Sequence, residues 1–306
     1  MSDQIPFHIQ EDIIKRLPVK PLLQFRSVSK AWKSLIDSSE FIAAQSALHT
    51  HPQHLLVKYE DLVETEDKYV SFIDDDTFLQ QRFVPTLPFS VKSLNLSTIV
   101  GSSHGLSCLY GYHWGPETSH RSLKSPKTVL WNPSVRKSVV VDMPNLVCGG
   151  EEIAVGFGVC PVTSDPKIVE ITQLRSWVDL ESETSDFWKA KVYTLSSRKW
   201  RNISSNLPSK SIRVTWSQVV IDRFIYWCAY HMLTIHTYNL IMSFDMTDEN
   251  FRVVDLPDSL EQHSQTELSV SKLRESLAIL QYNIDTDTDT DTDKHVCSVW
   301  MMEHGV

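Results

Sequence analysis

Three stretches of the chain have residue types and spacings that could do chemistry. Gly101-Ser102-Ser103-His104-Gly105 fits the pattern GxSxG. In hydrolases that pattern sits on a strand-to-helix turn that presents the serine as a nucleophile. Here the following residues, LSCLYGYHW, are apolar and aromatic and have no polar helical face. They predict strand–turn–strand, with the glycines serving a tight bend. A serine hydrolase acting through Ser103 is therefore the remote reading. Gly156-x-Gly158 lacks the third glycine and the following helix of a dinucleotide loop, so it reads as backbone fitted into a crowded strand. From Asp285 to Asp293, aspartate alternates with threonine. An EF-hand loop starting at Asp285 needs Gly at its sixth position and Glu at its twelfth. Thr290 and Val296 stand there, and the run reads instead as a disordered acidic loop over 284–294, extended by self-repulsion.

The remaining chemistry-bearing residues are dispersed. His49, His51 and His54 flank Pro52 in a linker that offers no rigid frame for a metal. Cys108, Cys148, Cys160, Cys228 and Cys297 are scattered, odd in number and form no CxxC, which argues against a zinc site or disulfide framework. A reducing compartment, cytoplasm or nucleus, follows from that usage. Cys228, within YWCAYH, reads as a buried structural thiol. No catalytic residue, cofactor or metal ligand set emerges, so the expectation is a non-catalytic protein.

Composition narrows the class further. With 42% hydrophobic and 10% aromatic residues, the 306-residue chain has enough apolar material for a small module plus one large packed domain. Its net charge of −9 disfavours nucleic acid as a partner, since phosphate binding needs basic patches. No apolar run has the length of a membrane span.

The elements that would position a site fall into two textures. Ile5 to Ile36 is helical by pattern. Ile9, Ile13 and Leu17 recur at four-residue steps, and Gln10, Glu11, Lys15 and Arg16 point elsewhere. Pro18 stops that helix, Pro21 marks the start of a second, and Ser29 caps a third that carries Trp32, Leu35 and Ile36. Residues 38–50 predict a fourth helix. This segment holds more large apolar side chains than so small a unit can bury. It is either a cap on the following domain or a docking surface for a partner.

From residue 55 onward, short β-branched and aromatic runs alternate with turn residues, the pattern of many short strands. An internal repeat organises them. Trp131, Tyr193 and Phe244 each end an apolar run. Ser134, Ser196 and Thr247 follow three residues later, and Val141, Ile203 and Val254 ten residues later. Met143-Pro144, Leu207-Pro208 and Leu256-Pro257 close each unit. The steps are 62 and 51 residues, the longer one holding an acidic insert from Asp179 to Asp186. This reads as strand, polar turn, strand, proline stop, in blades near 129–144, 190–208 and 240–257 of a propeller-like domain. Of Trp114, Trp177, Trp188, Trp200, Trp216 and Trp227, most should be core, with one or two exposed as recognition anchors. The final apolar strand, ending at Val306, predicts a last blade left unfinished.

The segment EDIIKRLPVKPLLQFRSVSKAWKSLI, preceded by Ile5-Pro6, closely resembles the F-box of plant F-box proteins. GSSHGLSCLY, VLWNPSVRKS, GFGVCP, VYTLSSRKWRNI and SFDMTDENFRVVDLP resemble the kelch-like F-box-associated domain that follows it in such proteins. The resemblance implies an α+β chain: a three- to four-helix F-box over 1–48, then an all-β domain over 49–306. It implies a Skp-type adaptor, and through it a cullin–RING ligase, bound by Ile5, Pro6, Ile9, Ile13, Leu17, Pro18, Leu22, Leu23, Val28 and Trp32. It also implies a target protein, of unknown identity, bound by the β domain and marked for proteasomal degradation. An interaction scaffold without target turnover is the alternative.

Overall fold

The structure, a computed structural model, describes residues 5–17, 19–38, 41, 53–61, 63–64, 66–74, 80, 82–113, 126–133, 136–144, 151–174, 188–204, 206–209, 211–232, 237–261, 268–287 and 292–302. The chain divides into two units, Met1–Ser93 with Trp131–Val139, and Leu94–Leu130 with Val140–Val306. Among the described residues, helices open the chain, and five β-sheets with two short helices between them follow.

In the first unit, α1 spans Phe7–Lys15, α2 Val19–Phe25 and α3 Lys30–Ile36. The Ser29 side chain accepts a hydrogen bond from the Trp32 amide at 3.1 Å, so the expected cap of α3 is present. Pro21 does not begin α2 but is its third residue. That position tolerates proline because first-turn N–H groups have no intrahelical acceptor. Ile14, Leu22, Ile36 and Phe41 form the core of this helical module, with Leu17, Phe25, Trp32 and Leu35 packed against it. Each fully buried side chain of this kind contributes about 1.5–3 kcal/mol. Beyond Phe41, which is helical, the expected fourth helix lies outside the described residues. A three-stranded sheet, β1 (Gln53–Asp61), β2 (Glu66–Asp74) and β3 (Arg82–Phe83), and a short α4 (Phe89–Lys92) follow.

Four more sheets are each built from strands consecutive in sequence. They are β4 (Leu94–Ser103) to β7 (Lys137–Asp142) with β5 (Leu106–His113) and β6 (Pro126–Asn132) between; β8 (Glu151–Val159), β9 (Pro166–Leu174), β10 (Lys189–Thr194) and β11 (Lys199–Ile203); β12 (Ile212–Ile221), β13 (Phe224–Met232), β14 (Thr237–Asp245) and β15 (Asn250–Asp255); and β16 (Leu268–Leu273), β17 (Ser276–Asp287) and β18 (Thr292–Met301). A short helix α5 (Asp258–Glu261) precedes β16.

The sequence repeat is the outer hairpin of three of these sheets. Trp131, Tyr193 and Phe244 lie on the third strand, and Val141, Ile203 and Val254 on the fourth. Each hairpin has a four-residue loop ending in a left-handed residue: Arg136 at φ 55°, Arg198 at 54° and Glu249 at 53°. Each such residue costs about 1–2 kcal/mol of local strain. Backbone bonds across the loop offset it, such as Glu249 N to Asp245 O at 2.8 Å.

The cores of the second unit lie between successive sheets. One cluster joins Ala154, Val169, Ile171, Trp188 and Val192 to Ile225, Trp227, Met242, Phe244 and Phe251. Gly156 and Gly158 work as the sequence implied. A Cβ on Gly156 would run into the indole of Trp227, and one on Gly158 would lie 2.6 Å from Met246 Sδ. Polar ties cross the same boundaries. Lys167 Nζ donates to Met246 O and to Glu249 Oε1, both at 2.6 Å, and Arg201 also pairs with Glu249. Burial works to raise the Glu249 pKa, but the hydrogen bonds from Arg201 and Lys167 hold it below its ordinary 4.5. Its ionised form therefore adds stability above pH ~4.5, and that stability is lost as pH falls through the lower folded-state value. Glu249→Ala leaves the buried Lys167 ammonium unpaired and should cost about 3 kcal/mol at neutral pH. In urea denaturation the gap between Glu249→Ala and wild type should shrink as the medium is acidified below pH ~4.5.

The acidic run is not a loop throughout. Ile284 pairs with His295, Asp285 with Lys294 and Asp287 with Thr292, so the β17–β18 ladder enters it from both ends. Threonine is a strand former, which repulsion among the aspartates alone leaves out. Residues 288–291 lie outside the described residues.

Candidate functional site

The helical module presents an apolar surface that its own core does not use. Ile5, Phe7, Ile9, Ile13, Leu23 and Val28 are all exposed, Val28 at 64%. Helix α1 packs through the other side of its wheel, with Ile14 and Leu17 in or against the core. Gln10 shares that side: its Oε1 accepts from Trp32 Nε1 at 3.1 Å and its Nε2 donates to Ile5 O at 2.7 Å. The spacing 10, 14, 17 is as helical as 9, 13, 17, so periodicity alone could not say which stripe faced in.

The expected adaptor-contact residues thus separate. Ile5, Pro6, Ile9, Ile13, Leu23 and Val28 are exposed. Leu22 is not available for contact: at 4% exposure it is a core residue, because α2 turns it inward and the adjacent Leu23 outward. Leu17 and Trp32 are half-buried against the same core, the Trp32 ring 5.2 Å from that of Phe25 in an edge-on pair. Pro18 lies outside the described residues. Phe7 joins the exposed set, a residue that the motif had passed over. Beside Leu23 and Val28 lies an open cavity of 520 Å³ lined also by Arg26, Ser27, Ser29, Lys30 and Lys33. Leu23 and Val28 give it apolar lining, and Arg26, Lys30 and Lys33 give it basic lining. Arg26 is held in place by Asp37, at 2.5 and 2.8 Å.

In the second unit β4 shifts register twice against β5, and a bulge interrupts β12. Its pairing with β13 shifts register between Val214 and Gln218. Side chains fix the bulge from several directions. Gln173 on β9 gives and takes a hydrogen bond with the Val214 backbone, both at 2.8 Å. Thr215 Oγ1 donates to Cys228 O at 3.0 Å and accepts from the Ser217 amide at 3.2 Å. Ser217 Oγ accepts from Val270 N at 2.9 Å. Bulges of this kind re-aim a side chain, and here that side chain is Trp216. It is 41% exposed, whereas Trp188 and Trp227 are buried. Its ring lies 5.0 Å from that of Tyr110, which meets Tyr112 edge-on at 5.8 Å. Glu152, Ile153, Gln173, Val214, Thr215, Trp216 and Tyr230 enclose a pocket of 300 Å³. Burial and the Glu152 carboxylate both raise the Tyr230 pKa, with Arg213 opposing, which keeps the phenol neutral.

The GxSxG stretch is a β-hairpin. His104 and Gly105 form a two-residue turn with φ of 50° and 73°, the pattern of a type I′ turn, and β5 follows where a nucleophile elbow would have a helix. The Ser103 hydroxyl accepts from the Val159 amide at 3.3 Å and sits 3.0 Å from His104 Nδ1. Cys228 is buried, and burial pushes its thiol up to about 12, the inert state expected of a structural cysteine. Of the other expected features, His49, His51, Trp114, Trp177, Ser134 and Cys148 lie outside the described residues. Among the described residues no His/Cys/Asp/Glu group is arranged to hold a metal, and no helix is long and apolar enough to cross a membrane.

Comparison with known proteins gives these surfaces a family. The F-box domain matches residues 2–43, and the F-box associated beta propeller domain matches residues 68–306. An F-box protein of Arabidopsis thaliana is 28% identical over 255 residues, covering 83% of this chain and 60% of the relative. An F-box/kelch-repeat protein of the same plant is 24% identical over 294 residues, covering 91% of this chain and 72% of the relative. The chain thus spans about 60% of the length of several curated relatives it matches. An F-box of three described helices followed by blade-like antiparallel sheets identifies the chain as a member of the F-box family that carries an F-box associated beta propeller domain.

Proposed function

We propose that this protein is the substrate-recognition subunit of an SCF-type (Skp–cullin–F-box) ubiquitin ligase. The observation that carries this reading is the exposed apolar set Ile5, Phe7, Ile9, Ile13, Leu23 and Val28 on helices that pack their own core around Ile14, Leu22, Ile36 and Phe41. So many large apolar side chains left exposed on one small helical module point to a protein interface. A Skp-type adaptor covers it and connects the chain to a cullin–RING assembly. The β domain holds the target. The chain makes and breaks no bonds itself. It keeps a target near the transfer machinery, which makes ubiquitin transfer effectively intramolecular. Such a subunit works in the cytoplasm or nucleus.

Affinity capture with the proteasome blocked tests this. The full chain is compared with one lacking Ile5–Ile36. Adaptor and cullin should be captured by the full chain alone, and target candidates by both. Those targets should accumulate when the full chain is removed from cells. Capture of the adaptor by the deleted chain, or target levels indifferent to the full chain, would overturn the proposal.

A further inference from the structure

Each of the four later sheets has its last strand at an edge, and three of these edges are guarded by charge. β7, β11 and β15 carry exposed Lys137 and Asp142, Lys199 and Arg201, and Arg252 and Asp255. Charged side chains on an edge discourage another strand from pairing there. β18 differs. Among the described strands it pairs with β17 alone, and from Val296 to Met301 it has no charged side chain. The register with β17 sorts its side chains onto two faces. Val296 and Trp300 share the face of Ile279 and Gln281, where Trp300 Nε1 donates to Gln281 Oε1 at 3.1 Å. Cys297, Val299 and Met301 share the opposite face with Leu280 and Tyr282. All five of these β18 residues are exposed. An edge strand that is apolar on both faces and free of charge is a template for strand addition.

We propose that two copies of this chain associate through β18, paired antiparallel about Ser298, so that two three-stranded sheets become one continuous sheet. The strand that fits this edge must be apolar on both faces at matching positions, and β18 is itself such a strand. Turned about Ser298, it sets Val296 opposite Trp300 and Cys297 opposite Val299 across the two copies, each pair formed twice, with Ser298 facing its own counterpart. Each pair joins residues of the same face, as a flat continuation of the sheet requires. Aromatic with β-branched is a favourable cross-strand pairing. A two-fold contact of this kind closes on itself and uses up both edges, whereas a strand added from another protein leaves a new edge beyond it. The association is independent of the ligase reading.

The test uses the full chain in reducing buffer, with sedimentation velocity over a range of concentrations. The 35.1 kDa chain should sediment as a dimer that dissociates on dilution. Ser298→Lys sets two ammonium groups face to face and should weaken the dimer about 10-fold or more. Val299→Lys, on the other face, should weaken it comparably, and circular dichroism should show both variants folded. A further variant reads the contact without disrupting it. Directly opposed residues of antiparallel strands have Cα atoms about 4.5–5.5 Å apart, within reach of a disulfide. The double variant Cys297→Ser/Ser298→Cys should therefore give a covalent dimer on mild oxidation, and Cys297→Ser alone should not. A monomer at every concentration would leave β18 to a strand of another protein and overturn the proposal. So would an assembly larger than a dimer, a dimer untouched by either lysine, or no disulfide through position 298.

Discussion

A chain carrying Ile9→Asp and Ile13→Asp will fail to capture a Skp-type adaptor while melting at the wild-type temperature. Both side chains lie on the outer stripe of α1, 43% and 51% exposed, one turn apart. In the free chain the new carboxylates remain in water, so folding is not penalised. In the proposed complex they would be desolvated against apolar surface. Interface anchors of this kind are worth ~2 kcal/mol or more each, so two should lower affinity at least several hundredfold. Leu22→Asp is the control. Leu22 is 4% exposed in the core formed with Ile14, Ile36 and Phe41, so its replacement should lose adaptor capture and helical signal together. Capture measured against circular dichroism separates the two. Wild-type capture by the Ile9/Ile13 double variant would show that the adaptor uses another surface.

Gly156→Ala should destabilise the β domain by about 3 kcal/mol, the upper range for inserting one methyl into a packed interior. The added carbon would overlap Trp227 Cζ2 and lie 2.9 Å from Cη2 and 3.0 Å from Cε2. Neither side can retreat easily. Gly156 is held in the ladder opposite Val169. The indole is fully buried, and its Nε1 donates to Val155 O at 3.4 Å. Gly105→Ala gives the contrast. No atom lies within 4 Å of its added carbon, but φ is +73°, so its cost of about 1 kcal/mol is conformational and independent of Trp227. Trp227→Phe should therefore recover part of the loss from Gly156→Ala and none of that from Gly105→Ala. Guanidinium unfolding monitored by tryptophan fluorescence is measured for wild type, the three single variants and the two double variants. A Gly156→Ala midpoint equal to wild type would contradict the packing of β8 against β13.

The repeat of Trp131, Tyr193 and Phe244 was legible because each marks the same strand of a sheet and is followed by the same loop and fourth strand. The glycines at 156 and 158 were legible as crowding, though the residues crowding them, Trp227 and Met246, lie far along the chain. Other features had no local signature. Arg136, Arg198 and Glu249 adopt left-handed φ without being the glycine or asparagine that announces it. The bulge at Thr215–Ser217 sits in IRVTWSQVVI, whose β-branched texture reads as an unbroken strand, because hydrogen bonds exchanged with Gln173 and donated by the Val270 amide decide it. The division of Leu22 from Leu23 depended on where α1 and α3 lie, which neighbouring leucines cannot record.

Every pairing among the described strands joins neighbours in the chain. No strand waits for a partner made much later, so each sheet can close during synthesis soon after its last strand emerges. Disorder in one connecting segment then costs the loop and not the ladder. Only the docking of finished sheets through side chains such as Lys167 and Glu249 is long in range. A lineage can therefore lengthen or recode the connections while translation delivers the same scaffold each time.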